Sequence, residues 1–100
     1  MTWRYNVSVA LPEDRKRTLR GRAHGLKPVV LLGKEGLTES VVSAVDSALT
    51  THELIKIKLL QNCTEDRVDV ATSLSERLEA AVVQRIGKTI VLFRERPDDA

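Results

Sequence analysis

The chain has 100 residues, of which 42% are apolar and 30% are charged, and its formal net charge is +2. This length and composition favour one soluble globular domain with a core of its own. The apolar runs at 28–32, 54–60 and 90–93 are too short to span a bilayer, and the single Cys63 excludes an intramolecular disulfide.

The positive charge is concentrated at the start of the chain. Residues 1–34 contain eight Lys or Arg and two acids, a net charge of +6, whereas residues 35–100 contain eight bases and twelve acids, a net charge of −4. This asymmetry favours one electropositive face, although a single basic run is often only a solvated surface. The first residues lack the basic-then-apolar order of a secretory signal, so we expect a cytoplasmic protein.

The first predicted elements are an arm over residues 1–11, which show no clear period, and a helix over residues 12 to about 24. Pro12 suits the first position of a helix, and the two acids behind it suit the positive end of the helix. The helix is predicted to be amphipathic, with an apolar face and a cationic side. The apolar face contains Leu19 and Ala23, with Leu26 added if the turn continues past the helix end, and the cationic side contains Lys16, Arg17 and Arg20.

A strand over 28–32 follows, and its unbroken apolar run predicts that both of its faces are covered. Two glycines three residues apart, Gly33 and Gly36, then lead into a second helix over about 38–51. Thr38 is the predicted N-cap of this helix. The predicted buried stripe contains Val41, Val45, Ala48 and Leu49.

The middle of the chain predicts a second strand and a third helix. Residues 54–60 alternate between apolar side chains and the pair Lys56 and Lys58, which is typical of a strand. The third helix is predicted over about 65–78, with Thr64 as its N-cap. Its predicted buried residues are Val68, Ala71, Leu74 and Leu78.

The last elements are two strands that flank Gly87 and Lys88, a pair typical of a two-residue hairpin turn, and a polar tail over 95–100. The element order is therefore α-β-α-β-α-β-β. Right-handed crossovers make the first three strands largely parallel, and the last strand returns antiparallel. We predict one compact α/β domain over residues 12–94, with three helices and a four-stranded mixed sheet.

The segment from Gly33 to Gly36 is the main candidate for a binding site. It delivers the chain to a helix N-terminus, where unpaired N–H groups and the helix dipole favour an anion. Glycines let the backbone approach a phosphate, and Lys34 adds a cation, as in the GxxG loop of KH domains. Glu35 acts against this, because a carboxylate repels phosphate unless it points away. The alternative is that both glycines only form a turn, since so short a pattern is common by chance.

The sequence contains no recognisable catalytic or metal-ligating set. The glycine loop lacks the GxxxxGK[ST] pattern of a P-loop and the third glycine of a dinucleotide fingerprint. His24 and His52 have no catalytic partner that spacing would reveal, and Cys63 suits a packing residue better than a nucleophile. We therefore expect no cofactor and no bound metal.

Three longer segments resemble one protein family in their order and spacing. They are LRGRAHGLKPVVLLGKEGLTESVVSAVDSAL, HELIKIKL and VVQRIGKTIVLFR. With them, roughly residues 13–94 resemble the CRM domain family, in particular its stand-alone bacterial members of the YhbY type. The resemblance implies a compact RNA-binding domain with a KH-like GxxG loop. Bacterial members are associated with precursors of the large ribosomal subunit, and plant organelle relatives assist intron splicing; a single copy fits the bacterial type.

The resemblance also implies which residues bind RNA. The family's GxxG falls on Gly33, Lys34, Glu35 and Gly36, and its basic residues fall on Lys16, Arg17, Arg20 and Lys27. Substitution of Gly36 by Asp, or of Lys34 by Glu, is expected to weaken RNA binding and to leave stability little changed. The segment LEA at 78–80 replaces the family's common Thr-Gly-Ala turn, so the third helix is free to run longer.

We therefore expect a non-catalytic RNA-binding protein that acts on ribosomal RNA or on the precursor of the large ribosomal subunit, as an assembly factor or RNA chaperone. We expect a monomer, with no DNA or membrane partner. One alternative is a protein-interaction module whose basic face binds an acidic partner. Another is an enzyme that holds a small phosphate ester in the glycine loop.

The surface beyond the loop and the first helix is left open by the sequence. Only Trp3, Tyr5 and Phe93 are aromatic, so base stacking on an aromatic sheet is barely available. Trp3 and Tyr5 either stack on bases or tuck onto the sheet. Lys56 and Lys58 either extend the RNA surface or form a solvated lysine ladder, and the ladder is slightly favoured.

Overall fold

The computed structural model describes residues 11–96, and in this range three helices and four strands follow each other in the predicted order. The elements are α1 Glu13–Ala23, β1 Val30–Leu32, α2 Glu39–His52, β2 Leu54–Leu59, α3 Arg67–Leu78, β3 Ala81–Ile86 and β4 Thr89–Phe93. The predicted arm lies outside the described residues except for Leu11, as does the predicted tail beyond residue 96. No helix in residues 11–96 is long and apolar enough to cross a membrane.

The starts of α2 and α3 are set by capping side chains. The Thr38 hydroxyl accepts a hydrogen bond from the N–H of Val41 at 3.1 Å, so the predicted cap of α2 is confirmed. The predicted cap of α3 is wrong, because Asp66 takes that position instead of Thr64. Its carboxylate accepts from the amides two and three residues further on, at 2.9 and 3.3 Å, and the helix therefore begins at Arg67.

The predicted burial of Val68 is also wrong, since this side chain is 43% exposed. The buried face of α3 instead passes through Val70, which lies about 200° further round the helix than Val68. The C-terminal end of α3 is marked by a left-handed residue. Glu79 adopts the left-handed conformation, with φ 54° and ψ 51°, and its N–H donates to the Ser75 carbonyl, so the helix ends at Leu78.

The sheet is mixed and four-stranded, as predicted, and its strand order is β1-β2-β4-β3. β1 is parallel to β2, and β4 is antiparallel to both of its neighbours, so β3 shares the direction of β1 and β2 without pairing with them. Gly87 in the closing hairpin has a φ of 58°, which only glycine adopts easily. β1 is an edge strand, and the expectation that both its faces are covered is wrong, because Leu31 is 53% exposed.

The two faces of the sheet are covered to different extents. α2 and α3 cover most of one face, and their buried residues form the larger core cluster with β1, β2 and β4. α1 covers only part of the other face, where Leu19 and Ala23 pack against Leu54, Val91 and Phe93. Leu54 and Phe93 pair at the start of β2, so the portion of this face toward the end of β2 is left open.

Candidate functional site

The glycine loop is a tight turn at the end of β1. The N–H of Gly36 donates to the carbonyl of Gly33 at 3.0 Å, which places Lys34 and Glu35 at the two exposed corners of a β-turn. The N–H of Thr38 then donates to the Gly36 carbonyl at 3.1 Å. The amides of Lys34 and Glu35 have no acceptor within residues 11–96, so they can donate to an external anion.

Gly36 is required by the protein's own packing. Its φ of 69° is unfavourable for any residue with a side chain, and a Cβ at this position would collide with the Glu65 carboxylate. The same carboxylate accepts a hydrogen bond from the N–H of Leu37 at 3.2 Å. The space beside the Gly36 backbone is therefore filled by a carboxylate of the protein itself, that of Glu65 in the segment before α3. The expectation that Gly36→Asp leaves stability little changed is wrong for the same two reasons.

Gly33 is a different case from Gly36. Its φ is not in the left-handed region, and an added Cβ would meet only the Asn62 Oδ1 at 3.6 Å and the Leu60 Cδ1 at 3.8 Å, which are ordinary contacts. The fold described for residues 11–96 therefore accepts an alanine at Gly33. If this position needs a glycine, the need comes from a group outside the described part of the chain.

The bases of α1 lie on its flanks and its outer side, because Leu19 and Ala23 face the sheet. One flank carries Arg15 and Arg22. The Arg15 guanidinium lies 5.2 Å from the centre of the Phe93 ring, so this flank faces the end of the sheet where β2 begins. The opposite flank therefore faces the open part of the sheet.

That opposite flank carries Lys16 and Arg20, and both side chains are half-buried. Arg20 forms an ion pair with Glu13 at 3.2 Å, which is close to the surface and contributes little to stability. Arg17 is exposed and points away from the sheet. Of the three predicted binding residues on α1, two thus border the open sheet face and one does not.

A row of exposed side chains crosses this open face. The strand register pairs Leu31 with Lys58, Lys58 with Thr89 and Thr89 with Ile86, so these side chains lie side by side on one face. Leu31 is 53% exposed and Ile86 is 58% exposed, and Lys58 is exposed between them. We call these four residues the open row. The sequence pointed only to Lys58, because the apolar run around Leu31 had the signature of a strand covered on both faces.

Lys56 lies on the same face as Lys58 but is already engaged. Its ammonium group donates to the Leu26 carbonyl at 3.0 Å, and the side chain is half-buried. The two lysines of β2 therefore differ: Lys58 belongs to the open row, and Lys56 ties the connector after α1 to the sheet.

The loop and α1 lie at opposite ends of β2. α1 packs on Leu54, the first residue of β2, whereas the loop follows Leu32, which pairs with Leu59 at the end of β2. Five residues of strand separate these ends by about 17 Å. Apart from Lys27, which lies in the connector between α1 and β1, the predicted binding residues thus form two groups, with the open row between them.

The imidazoles of His24 and His52 are exposed, and Cys63 is half-buried against the larger core, as expected for a packing residue. Within residues 11–96, no group of three or more His, Cys, Asp or Glu side chains is placed to hold a metal ion. Sequence reasoning missed the role of Glu65, which looked like one of several acids at a helix start. Its contact with Gly36 joins positions far apart in the chain.

The sequence and the fold both have clear relatives. The sequence model of the CRS1 / YhbY (CRM) domain matches residues 11–94. The Bacillus subtilis (strain 168) protein named "Probable RNA-binding protein YqeI" is 42% identical over 89 residues, which cover 89% of this chain and 93% of that protein. A Haemophilus influenzae protein named "RNA-binding protein" is 42% identical over 84 residues, which cover 84% of this chain and 85% of its own. The solution structure of the Staphylococcus aureus protein SAV1595 matches with a TM-score of 0.75 and 37% identity, over 91% of this chain and 95% of that one.

Proposed function

Because the chain belongs to the CRS1 / YhbY (CRM) domain family, we propose that it is a non-catalytic RNA-binding protein of the cytoplasm. Its partner is ribosomal RNA or the precursor of the large ribosomal subunit, on which it acts as an assembly factor or RNA chaperone. The names of its relatives and the charge of α1 support this proposal. α1 carries five Lys or Arg, and only one of them forms a salt bridge within residues 11–96.

The cations of α1 supply most of the attraction for the RNA backbone. Lys16 and Arg20 neutralise phosphates at the edge of the open face, and Arg17 acts on RNA that extends beyond the outer side of α1. Contacts of this kind fix the position of the RNA without reading its sequence. The shape of the RNA is then the main source of specificity.

The glycine loop supplies directed hydrogen bonds rather than net charge. The amides of Lys34 and Glu35 donate to one phosphate, and the missing side chain at Gly33 lets the phosphate come close. Lys34 adds a positive charge, which the carboxylates of Glu35 and Glu65 offset. The open row lies between loop and helix, where Lys58 contacts the intervening backbone and Leu31 and Ile86 contact sugars or bases.

The test is the sedimentation of the protein with ribosomal particles from cells that produce it. The wild-type protein is expected to travel with precursors of the large subunit and to leave them after ribonuclease treatment. The double variant Lys16→Glu/Arg20→Glu is expected to stay with free protein. Arg77→Glu/Arg85→Glu is the matched control, because it also reverses two charges, and both residues lie on the other side of the sheet, Arg77 on α3 and Arg85 on β3 beside Ile90.

Two results would contradict the proposal. Wild-type protein that stays on the particles after the RNA is digested would indicate an acidic protein partner instead. Wild-type protein that never leaves the free fraction, but turns over a phosphate ester in a Lys34-dependent way, would indicate an enzyme.

A further inference from the structure

A cleft of about 390 Å³ lies beside the end of α1 and the start of β2. It is enclosed by the end of α1, the connector that leads to β1, and the junction of α2 with β2. Its floor is apolar and includes Leu26, Val29 and Leu54. Leu26 is 38% exposed and Val29 is 48% exposed, so part of this apolar surface is accessible.

The rim of the cleft is cationic and polar. Arg22, Lys27 and His52 line it, and no carboxylate from residues 11–96 does. The acid next in sequence, Glu53, is occupied: its carboxylate accepts from the Arg96 amide at 2.7 Å and lies 3.7 Å from the Arg96 guanidinium. The rim therefore complements an anionic chain passing over the cleft.

The interior suits a neutral group better than the phosphate itself. α1 ends at Ala23 and α2 ends at His52, so two helix C-termini, which are negative ends, lie beside the cleft. A flat nucleobase is neutral and can lie against aliphatic side chains, with the Arg22 guanidinium available to stack on it. The one Phe, Tyr or Trp ring within residues 11–96, that of Phe93, is 3% exposed and is not available for this purpose.

The cleft is continuous with the surface already described. Lys27, one of the predicted RNA-binding residues, is part of its rim. Val29 and Leu31 are exposed side chains two residues apart along the edge strand, and the glycine loop begins at Gly33. Four residues of extended chain from Val29 to Gly33 span about 13 Å.

We propose that this cleft binds one unstacked nucleobase of a single-stranded RNA segment whose backbone runs along β1 to the glycine loop. The inference rests on the proposed function, which it extends from phosphate contacts to the capture of a base. Arg22 stacks on the base, Leu26 and Val29 contact its face, and Lys27 neutralises the adjoining phosphate.

The test uses a short single-stranded RNA in which each nucleotide in turn is replaced by an abasic one. One abasic position is expected to weaken binding to the wild-type protein by roughly 5- to 150-fold, the range found when a side chain that stacks on one base is replaced by alanine. The same abasic position is expected to have no effect on RNA binding by the Val29→Glu variant, because the new carboxylate occupies the cleft. Val68→Glu is the matched control, because Val68 is 43% exposed but lies on α3.

The outcomes separate this inference from the proposed function. If no abasic position matters more for the wild-type protein than for Val29→Glu, or if Val68→Glu behaves like Val29→Glu, the cleft does not bind a base. If, in addition, Lys16→Glu/Arg20→Glu still weakens binding of intact RNA, the proposed function stands without the cleft. If the wild-type protein binds no RNA, both proposals are wrong.

Discussion

The glycine loop and α1 are built in opposite ways. The loop is held by contacts within the chain, since the Glu65 carboxylate fills the space beside Gly36 and binds the Leu37 amide. Its single cation, Lys34, is accompanied by Glu35 and Glu65. α1 carries five bases and two acids, and just one ion pair within the described residues engages them.

The difference shows that a motif and its charge need not lie in the same place. The loop offers a rigid turn with two donor amides, which can orient a phosphate but attracts it weakly. α1 offers attraction with a less fixed geometry, because only one of its five bases forms an ion pair within the described residues. A binding surface that extends over both ends of the sheet, about 17 Å apart, combines the two properties.

The largest expected effect distinguishes these two regions by charge. The double variant Lys16→Glu/Arg20→Glu is expected to lose roughly 100-fold in affinity for structured ribosomal RNA, since each charge-assisted contact contributes about 1.5 kcal/mol or more. Lys34→Glu is expected to lose about 10-fold, because one contact is affected. Fluorescence anisotropy at fixed salt measures both. A larger loss of affinity for Lys34→Glu than for the double variant would show that the loop, and not α1, supplies most of the attraction for RNA.

The two glycines of the loop are expected to separate stability from binding. Gly36→Ala forces a side chain into the left-handed region and against Glu65, so it should destabilise the fold by about 2 kcal/mol. For a domain of this size, this lowers the melting temperature by roughly 10 °C. The free energy of unfolding of Gly33→Ala should lie within about 0.5 kcal/mol of the wild-type value. Urea titration measures both variants, and equal destabilisation would show that Gly33 is also fixed by the fold.

Gly33→Ala has a second expected result, in RNA binding. Its methyl group stands beside the donor amides of the turn, so affinity should fall about 5-fold although the fold is intact. Unchanged affinity of this folded variant would remove the loop from the binding surface.

Glu65 tests whether the internal carboxylate weakens the loop's attraction for RNA. Glu65→Gln keeps an oxygen that can accept from the Leu37 amide but removes the charge, so RNA affinity is expected to rise about 2- to 3-fold. Glu65→Ala leaves that amide without its acceptor and should cost about 1 kcal/mol of stability. Anisotropy and urea titration on the same samples separate the effects. A fall in affinity for Glu65→Gln would mean that the charge helps to hold the binding conformation.

An effect of similar size is expected for the lysines of β2. Lys58→Ala should weaken RNA binding about 3-fold, because it removes one cation from the open row. Lys56→Ala is the matched control, since its ammonium group already donates to the Leu26 carbonyl. Equal losses of RNA affinity in the two variants would show that the loss in Lys58→Ala does not come from its position in the open row.

Patterns local to the chain predicted most of the fold. Alternation in β2, the Thr38 cap and the Gly87 turn each depend on neighbours in sequence, and the structure confirms all three. The error at Thr64 comes from a choice between two nearby capping residues, in which the Asp66 carboxylate accepts from two amides. The error at Val68 comes from the face on which α3 packs, which passes through Val70. Propensity alone does not decide such a choice.

The candidate site was harder to predict because its contacts are distant in sequence. Lys16 and Arg20 lie near the start of β2, and the loop lies near its end. This placement depends on where α1 packs, and no local pattern in the sequence gives that position. Leu31 had the signature of a buried residue, and only the strand order makes it exposed at an edge. The role of Gly36 depends on Glu65, which lies 28 residues away from its hydrogen-bond partner Leu37.

The most direct measurement of backbone binding by α1 and the loop is the salt dependence of affinity. Six phosphate contacts, from Lys16, Arg17, Arg20, Lys27, Lys34 and Lys58, should give a slope of roughly −4 for log affinity against log salt on single-stranded RNA. Lys16→Glu/Arg20→Glu should reduce this slope to about −3. A wild-type affinity that hardly changes between low and moderate salt, or a slope that the double variant leaves unchanged, would contradict the proposed binding mode.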